Sequence, residues 1–207
     1  FRVIALGSGE EPEESATAEQ EGAAAEVQPL GGDRSAAPQR GRARKIADML
    51  PTEDEVPADL VLIEEGHRTA DDITSTFPDP DDAAAQFAAW GWEGNAFRVF
   101  GVPEGSIAPT GGTASIDVSI HRFANASVAT EALFYLVNAR ETLGTFDDAP
   151  VAPLGELSVA IAGQVGDHNE ASVYVQRRDV VIRVTATSPE GDPLADAQAV
   201  AQTVAAK

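Results

Sequence analysis

The stretch Ala171-Ser-Val-Tyr-Val-Gln176, Arg177-Arg178-Asp179, Val180-Val-Ile-Arg-Val-Thr-Ala-Thr187 decides how this chain folds. In its first run, Val173 and Val175 fall on one side, with Ser172, Tyr174 and Gln176 on the other. In its second run, Val180, Ile182, Val184 and Ala186 share a side and leave Arg183, Thr185 and Thr187 across. Strand side chains alternate faces with a period of two. Two such runs joined by a short polar turn predict a β-hairpin with one apolar and one polar face.

The same alternation appears upstream. Within Ala114–Phe123, Ile116, Val118 and Ile120 point one way, while Ser115, Asp117, Ser119 and His121 point the other. Further strands are expected at Leu60–Ile63, Asn95–Gly101 and Leu157–Gln164. Three helices separate or follow them. The first has Asp79 as N-cap, Pro80 at its first position and Gly91 as its stop. The second is capped by Asn125 or Ser127 and carries Leu133, Leu136 and Val137. The third starts after Asp192-Pro193 and repeats Leu194, Ala197, Val200, Ala201 and Val204 at helical spacing. A helical turn is expected around Thr69–Phe77, another within Ile46–Leu50, and a loop over Thr145–Gly155.

The resulting class is α+β: a mainly antiparallel sheet of about six strands packed against helices, in the order β-α-β-β-α-β-β-β-α. One polar sheet face predicts helices on the apolar side only, with the other face wet. The domain is expected over residues 58–207. Residues 1–57 read as a linker, because Glu10–Glu26 holds seven glutamates and no base, a composition that cannot offset the entropy of ordering. A basic cluster (Arg34, Arg40, Arg42, Arg44, Lys45) follows it. The short apolar run Phe1–Leu6 reads either as the trailing edge of a cleaved signal or membrane helix, or as an arbitrary start.

The net charge of −20 disfavours nucleic acid and anionic membrane surfaces as partners. Contact with a membrane is expected only through an upstream tether. With no cysteine there is no thiol nucleophile, disulfide framework or thiolate metal site. No nucleotide-loop, nucleophile-elbow or zincin motif occurs, so no cofactor, metal or catalytic residue is assigned. Asp167-His168-Asn169-Glu170 carries oxygen ligands, but turns favour Asp and Asn on their own account.

Six residues are candidates for binding a ligand or partner. Asp117, His121, Tyr174 and Arg183 lie on the polar strand face, a platform if the strands are neighbours and a solvated face otherwise. Trp90 and Trp92 flank Gly91 and read either as a stacking pocket or as an aromatic seal of helix against sheet.

The strand Val118-Ser-Ile-His-Arg-Phe123 running into an Ala-rich helix, and the ending Tyr174–Val184 followed by Asp-Pro and an Ala/Val helix, resemble the extracytoplasmic domains of bacterial lipoproteins and membrane-tethered sensors. Among folds, the pattern is similar to the Mog1/PsbP-like group. The resemblance covers about Ala58–Lys207 and implies a non-catalytic binding or sensory domain on a flexible stalk outside the membrane. The alternative is an accessory subunit of a larger complex that docks through the polar sheet face or an edge strand. A hydrolase ranks third. The partner is expected to be an unknown protein or small ligand, and the chain a monomer or one subunit of a complex.

Overall fold

The computed structural model describes residues 46–106 and 111–207; the expected linker before Ile46 lies outside them. Seven antiparallel strands form one sheet: β1 (Val61–Gly66), β2 (Gly94–Gly101), β3 (Ser115–Arg122), β4 (Thr145–Ala149), β5 (Leu157–Val165), β6 (His168–Arg177) and β7 (Val180–Ser188). Their spatial order is β1-β2-β3-β7-β6-β5-β4. Two meanders, β1–β3 and β4–β7, therefore meet at a seam where β3 pairs with β7. The helices are α1 (Ala70–Thr74), α2 (Pro80–Ala89), α3 (Ala126–Glu141) and α4 (Leu194–Ala206).

Period-two alternation builds the first core as expected. Ile116, Ile120, Val173, Val175, Ile182 and Val184 are fully buried together beneath Val200, Ala201 and Val204 of α4. Fully burying a Val or Ile side chain contributes about 1.5–3 kcal/mol, so this layer is a major source of stability. It also starts earlier than the expected boundary at Ala58. Ile46, Leu50 and Val56 belong to it, and Lys207 reaches back to donate to the Leu50 carbonyl at 3.0 Å. A few apolar residues among prolines and acids look like linker, yet they close the end of the core.

The expectation of one covered face is corrected. A second core lies on the opposite side, where Ile73 of α1, Phe87 of α2 and Leu133, Leu136 and Val137 of α3 pack with Phe123, Ile161, Tyr174 and Val181 of the sheet. The polar pattern of this face does not leave it wet, because its charged residues pair with one another and its few large apolar residues seat the helices. The expected loop at Thr145–Gly155 is also corrected, since its first half is β4, an edge strand. An edge buries too little for alternation to show. Glu64 and Glu65 on β1 and Asp147 and Asp148 on β4 put charge on both outer strands. Such charges discourage further strand pairing.

Local signals mark the helix ends. Asp79 accepts from the Asp82 N–H at 3.0 Å, and Asn125, rather than Ser127, caps α3 by accepting from Ser127 and Val128. At the end of α2, Trp92 N–H donates to the Phe87 carbonyl and Gly91 N–H to that of Ala88, with Gly91 at φ 59°. This is a Schellman stop, which favours glycine. Gly91→Ala should cost about 1–2 kcal/mol from backbone strain alone. The new methyl would also stand 2.9 Å from the Ala124 Cβ. Chemical denaturation of the variant would measure the loss.

Candidate functional site

The alternate positions of the strands that build the first core form the floor of a cleft on the other face. From β3 come Asp117, Ser119 and His121. Arg183 of β7 stands opposite Ser119, and Tyr174 of β6 stands opposite Arg183. Four sequence candidates are thereby brought together, because β3, β7 and β6 are neighbours. The walls come from α1 and the turn after it, with Ile73, Thr76 and Phe77, and from α3 and the turn after it, with Leu136, Arg140 and Leu143. Arg68, between β1 and α1, closes one side. The cavity measures about 310 Å³, the low end of the range for small-molecule sites.

Charge pairing organises the floor. Asp117 accepts from Arg183 Nη2 through Oδ1 and from Arg68 Nη2 through Oδ2, each at 3.2 Å. Burial alone would raise the Asp117 pKa, but the adjacent Arg183 and Arg68 outweigh it and hold the carboxyl below its usual value. Arg68 also lies with its guanidinium carbon 3.8 Å from the centre of the Phe97 ring, a cation–π contact. Behind the wall, Arg140 grips Glu170 with two hydrogen bonds, from Nε at 2.6 Å and from Nη2. Ser172 joins Glu170 to Thr185. Burial raises the Tyr174 phenol pKa.

His121 is 2% exposed, and Asn95 Nδ2 donates to Ser119 Oγ at 2.8 Å. Ser119 Oγ in turn lies 3.1 Å from His121 Nε2; with the hydroxyl donating to that nitrogen, the ring proton is on Nδ1. Burial first, then Arg183 and Arg68, push the imidazole pKa down to about 3, against the pull of Asp117. Between pH 3 and 6.5 the unfolded state therefore binds a proton that the folded state refuses. Stability from this group is complete above about pH 6.5 and should fall as the pH drops toward 3, by up to about 1.4 kcal/mol per pH unit. Urea titrations across that window should show the slope, and a His121→Phe variant should flatten it.

Trp90 and Trp92 stand apart from the cleft. Trp90 meets Tyr135 edge to face at 5.3 Å and donates from Nε1 to Glu131 at 3.2 Å. Trp92 lies 6.2 Å from Phe87. Trp90 thus ties the end of α2 to α3, Trp92 packs back on α2, and neither lines the cleft. Sequence reasoning missed Arg68, Ser119 and Arg140. The Thr69–Asp72 capping box beside Arg68 was a readable signal, whereas the pairing of Arg140 with Glu170, 30 residues on, had none. Glu170 lies in β6 facing inward, not in the turn with Asp167. Among the described residues no group of three or more His, Asp or Glu is placed to hold a metal ion.

No protein-family model matches the sequence, and no curated protein does. A solved structure does match in shape: the extracellular domain of PknH from Mycobacterium tuberculosis superposes with a TM-score of 0.56 at 11% identity, over 79% of this chain and 94% of that one. The two share a fold. At that identity the match speaks to architecture alone. Among the described residues no helix is long and apolar enough to cross a membrane.

Proposed function

We propose that this chain is a non-catalytic extracytoplasmic sensory or binding domain, and that the cleft over β3, β7 and β6 is its ligand site. The observation that carries this reading is the convergence of Asp117, His121, Tyr174 and Arg183 from three strands into one cavity roofed by helices. The fold held in common with the extracellular domain of PknH supports the location. In this reading the glutamate-rich segment upstream serves as the stalk, as in tethered lipoproteins and sensors.

One observation favours a hydrolase instead: Ser119 Oγ sits 3.1 Å from His121 Nε2, the contact of a serine–histidine pair. Three features weigh against it. The Asp117 oxygens bond to Arg68 and Arg183, leaving His121 without an orienting carboxylate. Its pKa of about 3 makes it a weak base near neutrality. Ser119 is itself 1% exposed. The accessory-subunit reading loses the polar sheet face as a docking surface, since helices cover it, and retains the charged edge strands.

The reading is tested by screening the full chain against small extracellular metabolites with methyl NMR. Ligands that move the signals of Ile73, Leu136 and Leu143 support it. Labelling of Ser119 by a fluorophosphonate would overturn it in favour of the hydrolase. A partner protein that binds at β1 while no small molecule moves the cleft would favour the accessory subunit.

A further inference from the structure

The cleft presents hydrogen-bond donors without acceptors to match them. Each carboxylate near it is already engaged. Asp117 spends both oxygens on Arg183 and Arg68, and Glu170 spends both on Arg140. Asp72, at the rim, turns toward the backbone N–H and hydroxyl of Thr69. In contrast, Arg183 Nε and His121 Nδ1 are buried without a hydrogen-bond partner. Buried donors are normally satisfied, and a bound ligand is one way to satisfy them. The two residues are diagonal neighbours across the β3–β7 seam, since Arg183 stands opposite Ser119 and His121 opposite Val181. Long side chains can converge at that spacing.

Charge points the same way. In a chain of net charge −20, Arg68, Arg140 and Arg183 all line this one cavity. Two of them share the single carboxylate of Asp117 on the floor, while Glu170 balances Arg140 from behind the wall and Asp72 stands at the rim, so the positive charge is concentrated at the floor beside Arg183 and Arg68. Fixed positive charge inside an acidic protein attracts and orients an anion more than it attracts a cation. The opposite wall is apolar, made by Ile73, Phe77, Leu136 and Leu143, with Leu143 47% exposed at the mouth. The volume of about 310 Å³ equals about ten water molecules at about 30 Å³ each, which sets the size of the occupant.

We propose that the cleft binds a small carboxylate of about ten non-hydrogen atoms in all, its anionic head on Arg183, His121 and Arg68 and its apolar body against α1 and α3. This rests on the ligand-site reading above and adds the ligand class. Octanoate is the probe, with octanol and octylammonium as matched neutral and cationic controls, each titrated into the full chain by calorimetry and methyl NMR. Octanoate is expected to move the methyl signals of Ile73, Leu136 and Leu143 and to bind at least ten-fold tighter than either control. Its affinity should fall as salt is raised.

Arg68→Gln removes one cation and uncovers an oxygen of Asp117. It should weaken octanoate at least five-fold and leave octanol unchanged, with folding checked by the unshifted methyl signals of Val173 and Ile182 in the far core. Equal or tighter binding of octanol or octylammonium would overturn the ligand class while the site stood. If no probe moved the cleft methyls, the site itself would fall, and the proposal with it.

Discussion

Phe87→Ala should destabilise the domain by about 3–5 kcal/mol, the usual cost of deleting a buried aromatic ring. The ring is 1% exposed. It packs against Phe77 at 5.9 Å, Trp90 and Phe123 each at 6.1 Å, and His121 at 6.4 Å. Within α2 only Ala83 and Phe87 are buried, so this side chain is the main apolar anchor of the helix body, with Trp90 holding its C-terminal end. A domain of this size melts about 2–4 °C lower for each kcal/mol lost, which predicts a fall of about 6–20 °C by circular dichroism. Tryptophan emission should shift to the red as Trp90 and Trp92 gain water. Phe87→Leu keeps most of the volume and should lose visibly less. A change below about 1 kcal/mol for the alanine variant would mean that α2 is held in some other way.

Arg140→Ala should cost a similar amount, about 3–5 kcal/mol, through a different mechanism. The side chain of Glu170 is 0% exposed while that of Arg140 is 25% exposed. Removing the arginine strands a carboxylate in the interior, and that stranded charge, not the lost attraction, sets the penalty. A double replacement, Arg140→Met with Glu170→Leu, fills the space with apolar groups and should recover most of the loss. Urea denaturation of both single variants and the double variant would give the coupling as a double-mutant cycle. A double variant as unstable as Arg140→Ala would show that the pair contributes through shape rather than charge.

These two sites mark where the sequence was readable and where it was not. The first core was legible because Ile116, Val173 and Ile182 sit in strands whose alternation has no competing explanation. The stop at Gly91 and the cap at Asp79 were legible because backbone chemistry restricts them to a few residue types. The covering of the second face was not. Asp117, Ser119 and Arg183 look alike whether they meet water or one another, and only strand order decides between the two. The tryptophans were ambiguous for the opposite reason, since a large ring suits a core and a pocket equally. Arg140 and Glu170 belong to a helix end and a strand start, and no local rule joins them. β4 was overlooked because an edge strand buries too little to leave a pattern.

The seam between β3 and β7 also bears on how the chain reaches this state. Residues 115–122 wait for partners at 180–187, so the two meanders join only after the whole intervening chain has been made. Loop closure of that length must precede its reward, and topologies of this kind fold slowly. Until β7 arrives, β3 offers an open ribbon of Ile116, Val118 and Ile120 to any passing strand, and that exposure favours aggregation. The same delay makes a holding chaperone valuable until the last hairpin is released.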